Sequence, residues 1–333
     1  MPVMNFALSV AVVALLGFAV QRGNTCAVAA VDVAMRRRDF KILWSIFDVV
    51  ICVAALYGLL HLTGVISLAP SHSELAWGSL FGGILLGLGA CVNGACAIGS
   101  LARLGSGDPS FFATPAGMFV GCMVVIRGVP SWQPHVSATA GPADRLSLEV
   151  LLCGVVYGLY RLFRAVPTMK SGRWKHHVLR QPWNPRTANV VIGLCFLVLA
   201  VTTGPWCYTD FLYRVAKAET MDAPFLAVLT FVLFAGAIAG GVAMGKWHFT
   251  RFTAPTALRC LAGGFIMGLG LCLVPGANDG LTIEQVPLLI PSAIVAMISL
   301  FATVAAVVRW GHRNDIVVSA SHRDELRRQA VAA

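Results

Sequence analysis

The chain has 333 residues, of which 57% are hydrophobic and only 12% charged, with a formal net charge of +10 and a mean hydropathy of +0.77. That balance excludes a soluble globular domain and assigns the chain to the membrane-embedded class. The positive surplus lies in short loops and the C-terminal tail, as the positive-inside rule requires, so no nucleic-acid partner is implied.

Apolar stretches of bilayer-spanning length recur along the whole chain, which predicts an all-α polytopic membrane protein with the lipid bilayer as its surroundings. Nine crossings are expected, at 4–34, 41–65, 75–104, 112–127, 146–163, 187–215, 222–245, 256–285 and 290–310. No cleavable signal peptide is expected, since the first segment lacks a basic start and its run from Phe6 to Val20 leads directly into further structure. Basic clusters follow the first span (Arg36, Arg37, Arg38, Lys41), the fifth (Arg164, Lys170, Arg173, Lys175, Arg180, Arg186), the seventh (Lys246, Arg251) and the ninth (Arg309, Arg313, Arg323, Arg327, Arg328). All four fall on one side if every segment crosses once, which places the N-terminus outside and the C-terminus in the cytoplasm.

Within this series the chain repeats itself. The run from Gly82 to Cys91 reads again from Gly263 to Cys272, an offset of 181 residues (272 − 91 = 181) that also pairs Gly23 with Gly204 and Cys26 with Cys207. Spans one to four then map onto spans six to nine, and the single extra fifth span reverses the second unit. The predicted architecture is an inverted 4+1+4 repeat, with a pathway at the pseudo-two-fold axis near the bilayer midplane. Its parts are a first repeat at 1–145, a linker span with a basic cytoplasmic loop at 146–186, a second repeat at 187–310 and a basic cytoplasmic tail at 311–333.

The first, third, sixth and eighth spans are each about 30 residues long, which as straight helices would reach roughly 45 Å, against a hydrocarbon core of ~30 Å. Each is interrupted by Gly, Pro or polar residues: Gln21-Arg22-Gly23-Asn24, Asn93-Gly94, Gly204-Pro205, and the run from Pro275 to Gly280. Helix–break–helix segments expose backbone polar groups at depth, and lipid cannot satisfy these, so the breaks must face protein or a polar cavity. Four breaks meeting near the midplane suggest an hourglass-like conduit.

The ten cysteines lie mostly in apolar runs and form no disulfide framework, and Cys91 and Cys96 have C-x4-C spacing rather than the C-x2-C of a metal or redox site. No metal or cofactor is expected. Cys52, Cys122, Cys153, Cys195 and Cys260 read as small apolar core residues. Cys26, Cys91, Cys96, Cys207 and Cys272 sit in or beside breaks and are the candidates for the substrate pathway. A thiol is a weak, soft donor suited to a polarizable sulfur-containing anion and weak enough to release it. Arg22 is the permanent charge at a break and could attract an anion or pair within the protein. Asn24, Asn93 and Asn278 could complete a hydrogen-bonding ring or cap helices, and Asp279 reads as a cap.

Two stretches carry a family resemblance: Gln21-Arg22-Gly23-Asn24-Thr25-Cys26, and the run from Gly89 to Gly107 with its Gly-x-Cys-x-x-Gly and Leu-x-Arg-Leu-Gly-x-Gly patterns. The chain resembles the YeeE/YedE family of sulfur-transport membrane proteins over essentially its whole length. The resemblance implies an hourglass fold and inner-membrane uptake of thiosulfate. Cysteines at the narrow points pass the ion along by S–H contacts, Cys26 being the first and Cys96 the second. It also implies a cytoplasmic sulfur-accepting partner near the tail. The third cysteine of the pattern does not carry over, because the 181-residue offset sets Ala277 against Cys96. The alternatives are transport of another sulfur or selenium species or small anion, and a membrane sulfurtransferase using a cysteine persulfide. The last needs an activated thiolate, yet no histidine lies in any break. A transporter rather than an enzyme is therefore expected.

Overall fold

The computed structural model describes residues 3–23, 26–64, 72–73, 77–129, 132, 136–137, 152, 154–158, 160, 180–204, 206–219, 223–274 and 276–314. In chain order the helices are α1 (Val3–Gly23), α2 (Ala27–Arg37), α3 (Lys41–Leu62), α4 (Trp77–Asn93), α5 (Ala97–Gly105), α6 (Ala113–Gly128), α7 (Pro185–Thr202), α8 (Tyr208–Ala216), α9 (Ala223–Ala243), α10 (Ala254–Leu273), the single turn α11 (Ala277–Gly280) and α12 (Pro291–Asn314). A 3₁₀ turn at Pro109–Phe112 leads into α6, a π turn at Leu281–Gln285 follows α11, and His72–Ser73 pairs antiparallel with Val136–Ser137.

Eight segments are long and apolar enough to cross a membrane: Phe6–Arg37, Lys41–Leu60, Trp77–Gly105, Pro109–Gly128, Pro185–Thr202, Ala223–Ala243, Ala254–Leu273 and Pro291–Gly311. This is a multi-pass membrane protein. The expected count of nine is not reached among the described residues, because the fifth expected span, 146–163, lies mostly outside them; residues 154–158 within it are helical. The tail beyond 314, Asn24, Cys153 and most of the basic loop at 164–186 also lie outside.

The breaks stand where glycine and polar residues interrupt the apolar runs. α1 ends at Gly23 and α2 starts at Ala27; α4 ends at Asn93, and Gly94 (φ 81) turns the chain into α5. α7 gives way to α8 across Gly204 (φ 86), and α10 to α11 across Gly276 (φ 84). These left-handed turns suit glycine, which has no Cβ to clash.

Small residues bring the helices together. α4 and α10 pack antiparallel: a side chain added at Gly270 would meet the Gly82 carbonyl at 2.9 Å, and one at Gly89 would meet the Gly263 carbonyl at 2.7 Å. The offset that relates Gly82 to Gly263 also relates Gly89 to Gly270, so each contact is the other's image. Gly264 and Gly268 of α10 press against Thr114 and Met118 of α6, while their counterparts Gly83 and Gly87 of α4 press against Ala296 and Leu300 of α12. α1 and α7 are likewise antiparallel, with Ser9 Oγ 3.4 Å from Thr202 Oγ1 at one end and the Trp183 N–H donating to the Arg22 carbonyl at 3.2 Å at the other. In lipid, where apolar burial drives little helix association, such close backbone approach gives the packing energy.

Candidate functional site

Three of the four breaks place a cysteine at a helix N-cap. Cys26 caps α2 (φ −102, ψ 128), Cys96 caps α5 (φ −73, ψ 179) and Cys207 caps α8 (φ −136, ψ 157). The N-cap usually carries Ser, Thr, Asp or Asn to satisfy the first free N–H groups. Here thiols occupy it, within the partial positive charge of each half-helix. The fourth break has Gly276 at the cap and Ala277 after it.

Cys26 and Cys96 are in direct contact. The Cys96 N–H donates to Cys26 Sγ at 3.4 Å, and the Gly99 N–H donates to Cys96 Sγ at 3.4 Å. Gly99 makes this possible, because a side chain there would collide with Cys26. Asn93 holds the break in shape. Fully buried, it donates from Nδ2 to the Ala95 carbonyl (2.6 Å) and Ser100 Oγ (2.8 Å), and its Oδ1 accepts from the Thr114 hydroxyl (2.9 Å). Asn93 is thus a brace with its hydrogen bonds committed inside the protein.

A cavity of ≈ 10 Å³ lies against Cys96, lined on one side by Ala27, Cys96 and Ala97 and on the other by Met267, Ala277 and Asn278. A second cavity of ≈ 30 Å³ shares Ala27 and Asn278 with it and adds Asn189 and Thr282. Asn278 therefore stands between the two. Its Oδ1 is buried and has no hydrogen-bond partner within the protein. Apolar walls with a few soft or amide groups suit a weakly hydrated, polarizable solute better than a hard ion that keeps its water.

The other expected site residues are dispersed. Cys207 is buried at the break between α7 and α8, its Sγ 3.2 Å from Thr209 Oγ1 and 3.9 Å from the Gly276 carbonyl. Gly280 touches Cys207 as its counterpart Gly99 touches Cys26, at a looser 3.7 Å. Cys272 faces α6, where its thiol approaches the Cys122 carbonyl at 3.8 Å, and Cys122 in turn donates to the Gly268 carbonyl at 3.4 Å. Cys91 is half-buried against the core in the last turn of α4. Neither Cys91 nor Cys272 lines the two cavities. Arg22 is 1% exposed, donates from Nη1 to the Gln181 carbonyl at 2.8 Å and lies over the Phe18 ring at 4.7 Å. Its guanidinium is held by packing. Asn24 lies outside the described residues.

Sequence reasoning missed three contributors. Gly99 closes the Gly-x-Cys-x-x-Gly motif, but its contact with Cys26 is not legible from the motif. Thr114 completes the Asn93 brace from a different helix, and no local signal marks it. Thr209 forms a buried pair with Asp279 at 3.1 Å, and the Asp279 carboxyl also takes the backbone N–H groups of Asp279 and Gly280, as a cap does. Among the described residues no group of three or more His, Cys, Asp or Glu side chains is placed to hold a metal ion.

The chain matches the family model described as "Sulphur transport" over residues 22–306. It is 25% identical over 318 residues to a thiosulfate transporter TsuA of Spirochaeta thermophila, covering 85% of this chain and 92% of that protein. It is 23% identical over 295 residues to the thiosulfate transporter TsuA of Escherichia coli K12, covering 80% and 83% respectively.

Proposed function

Since the chain belongs to the sulphur-transport family, also known as YeeE/YedE, we propose that it imports a small sulfur-containing anion, thiosulfate, through a constriction at Cys26 and Cys96. The observation that carries this reading is the direct contact of the two thiols beside the cavity that ends at Asn278. The two thiols take backbone N–H groups and hydrogen-bond to one another, and a passing anion would accept an S–H in place of the neighbouring sulfur. Two half-helix N-termini add partial positive charge without a fixed cation that would trap the ion. Asn278 offers an amide on the way into the second cavity, and Cys207 provides a thiol at the matching break. Cys91, Cys272 and Arg22 act by shaping the helices around this path.

The architecture of the proposal is an inner-membrane protein of nine spans in two inverted repeats, 1–145 and 187–310, joined by the linker 146–186. The reciprocal antiparallel contacts of α4 with α10 and the paired placements of Gly99 at Cys26 and Gly280 at Cys207 support it. The N-terminus lies outside, and the basic tail at 311–333 lies in the cytoplasm, where a sulfur-accepting protein would receive the ion.

The test is uptake of labelled thiosulfate into proteoliposomes, with sulfate as the control ion. Cys26→Ala and Cys96→Ala should each reduce uptake by more than about tenfold, the loss of one contact of ~1.4 kcal/mol. The serine variants should keep a part of it through the hydroxyl. Asn278→Leu, which fills both cavities, should block uptake as well. Near-normal uptake by both alanine variants would remove the thiol pathway.

A further inference from the structure

The two breaks that carry Cys26 and Cys207 are related by the 181-residue offset, yet they differ in one respect. In the first, Val28 and Ile98 are the neighbouring positions; the offset carries these onto Thr209 and Asp279. An apolar pair in one repeat has become a hydroxyl and a carboxyl in the other. Since the first break forms without them, the polar pair is not required for breaking the helix.

Asp279 is 1% exposed. Its Oδ1 accepts from the Thr209 hydroxyl at 3.1 Å, and the same hydroxyl lies 3.3 Å from the Gly276 carbonyl. Among the described residues no lysine or arginine pairs with it. Asp32 and Asp48, by contrast, are compensated: Asp32 pairs with Arg36 at 2.6 Å, and Asp48 accepts from the Tyr157 hydroxyl at 2.6 Å with Arg186 at 3.7 Å. Near Asp279 lie Cys207 at the N-cap of α8 and Tyr208 and Asp210 within it, while Arg214, paired with Asp210 at 2.7 Å, lies near Glu284. Glu284 of the π turn faces it too, with Tyr57 of α3 beyond, and Tyr208 faces both Asp279 and Cys96. The groups nearest Asp279 are thus neutral or acidic. A carboxylate at that depth without a cation is costly, and a proton removes the cost.

We propose that Asp279 is the proton-carrying group of this transporter, loading a proton on the side from which the anion comes and releasing it on the other. The inference rests on the thiosulfate-import reading. A divalent anion entering a cell works against an inside-negative potential, and each accompanying proton cancels one of its charges. Asp279 lies beside Asn278, which lines both cavities, so occupancy of the path and protonation of the carboxyl are coupled through one short turn.

The experiment compares the full-length wild type with Asp279→Asn in proteoliposomes by two readouts. One is exchange of labelled against unlabelled thiosulfate at equal concentrations and equal pH. The other is net uptake under an acid-outside gradient, with a pH-sensitive dye inside. The wild type should accelerate severalfold with the gradient and acidify the lumen as thiosulfate enters. Asp279→Asn should exchange within about twofold of the wild type but lose both responses to the gradient. Exchange without any gradient response in the wild type, or an Asp279→Asn variant that responds fully, overturns the proposal while leaving the import reading intact. A wild type that does not exchange thiosulfate removes both. Should Asp279→Asn not fold, Thr209→Val decides: losing the hydroxyl donor should move half-maximal uptake to higher pH with exchange retained. An unchanged pH profile in that variant refutes the role of Asp279.

Discussion

Gly99→Ala tests the constriction directly, because its effect follows from distances in the structure. A β-carbon at this position would lie 2.6 Å from Cys26 Sγ, 3.0 Å from Cys26 Cβ and 3.2 Å from Ala95 Cβ. Ordinary contact begins near ~3.5 Å, so Cys26 must retreat by roughly 1 Å. That retreat breaks the 3.4 Å hydrogen bond from the Cys96 N–H to Cys26 Sγ. Overpacking of this kind costs about 1–3 kcal/mol, against which alanine in place of glycine within α5 recovers about 0.5–1 kcal/mol. The net destabilisation is therefore on the order of 0–2.5 kcal/mol. The effect on the path is not small, since one of its two adjacent thiols has moved. The counterpart variant Gly280→Ala is the control: its new carbon would lie 3.7 Å from Cys207 Sγ, an ordinary contact, on a backbone already helical at φ −62. Thermal unfolding of both variants, alongside thiosulfate uptake, should show Gly280→Ala equal to or slightly more stable than the wild type and transporting within about twofold. Gly99→Ala should unfold at a somewhat lower temperature and lose more than about tenfold in uptake. Wild-type uptake by Gly99→Ala, or equal losses in the two variants, would refute the argument that the Cys26–Cys96 contact sets the constriction.

Asn93→Ala removes a buried brace with three hydrogen bonds and leaves the Ala95 carbonyl and the Ser100 and Thr114 hydroxyls with fewer partners, so it should cost about 2–4 kcal/mol in thermal or denaturant unfolding; Asn93→Asp, which loses the two amide donors, should be at least as harmful. Cys272→Ala and Cys122→Ala alter only the seam between α6 and α10 and should leave uptake within about twofold, with a stability loss of ~1 kcal/mol from the removed sulfur. A strong uptake defect in either would show that the path runs along that seam.

The broken helices were legible in the sequence for a simple reason. Spans too long for the bilayer had to be interrupted, and glycine, proline and asparagine marked where. The 181-residue register was legible too, and the structure uses it, since the paired glycines of α4 and α10 meet as one another's images. The fifth expected crossing, 146–163, falls mostly outside the described residues and was not tested by the helices seen.

Side-chain direction was less legible. Cys91, Cys96 and Cys272 all sit near breaks, yet only Cys96 reaches the cavity; Cys272 turns to α6 and Cys91 to the core. For Arg22 the sequence left open attraction of an anion or pairing within the protein, and the side chain packs over Phe18. For Asn93 it left open a polar ring or a cap, and the side chain bonds to Ala95, Ser100 and Thr114. A helix that is apolar all round carries no stripe to say which side is inward, so composition places these residues along the membrane normal but not around the helix axis.

By itself, then, the sequence determined the membrane class and the four interruptions, because hydrophobic length and glycine placement act locally along the chain. Tertiary packing alone decided that Cys26 meets Cys96 through the gap left by Gly99, that Asn278 lines two cavities, and that Asp279 is buried with a hydroxyl and, among the described residues, no cation. Each of those depends on which faces of distant helices are pressed together, and that is settled by backbone approach between segments far apart in sequence.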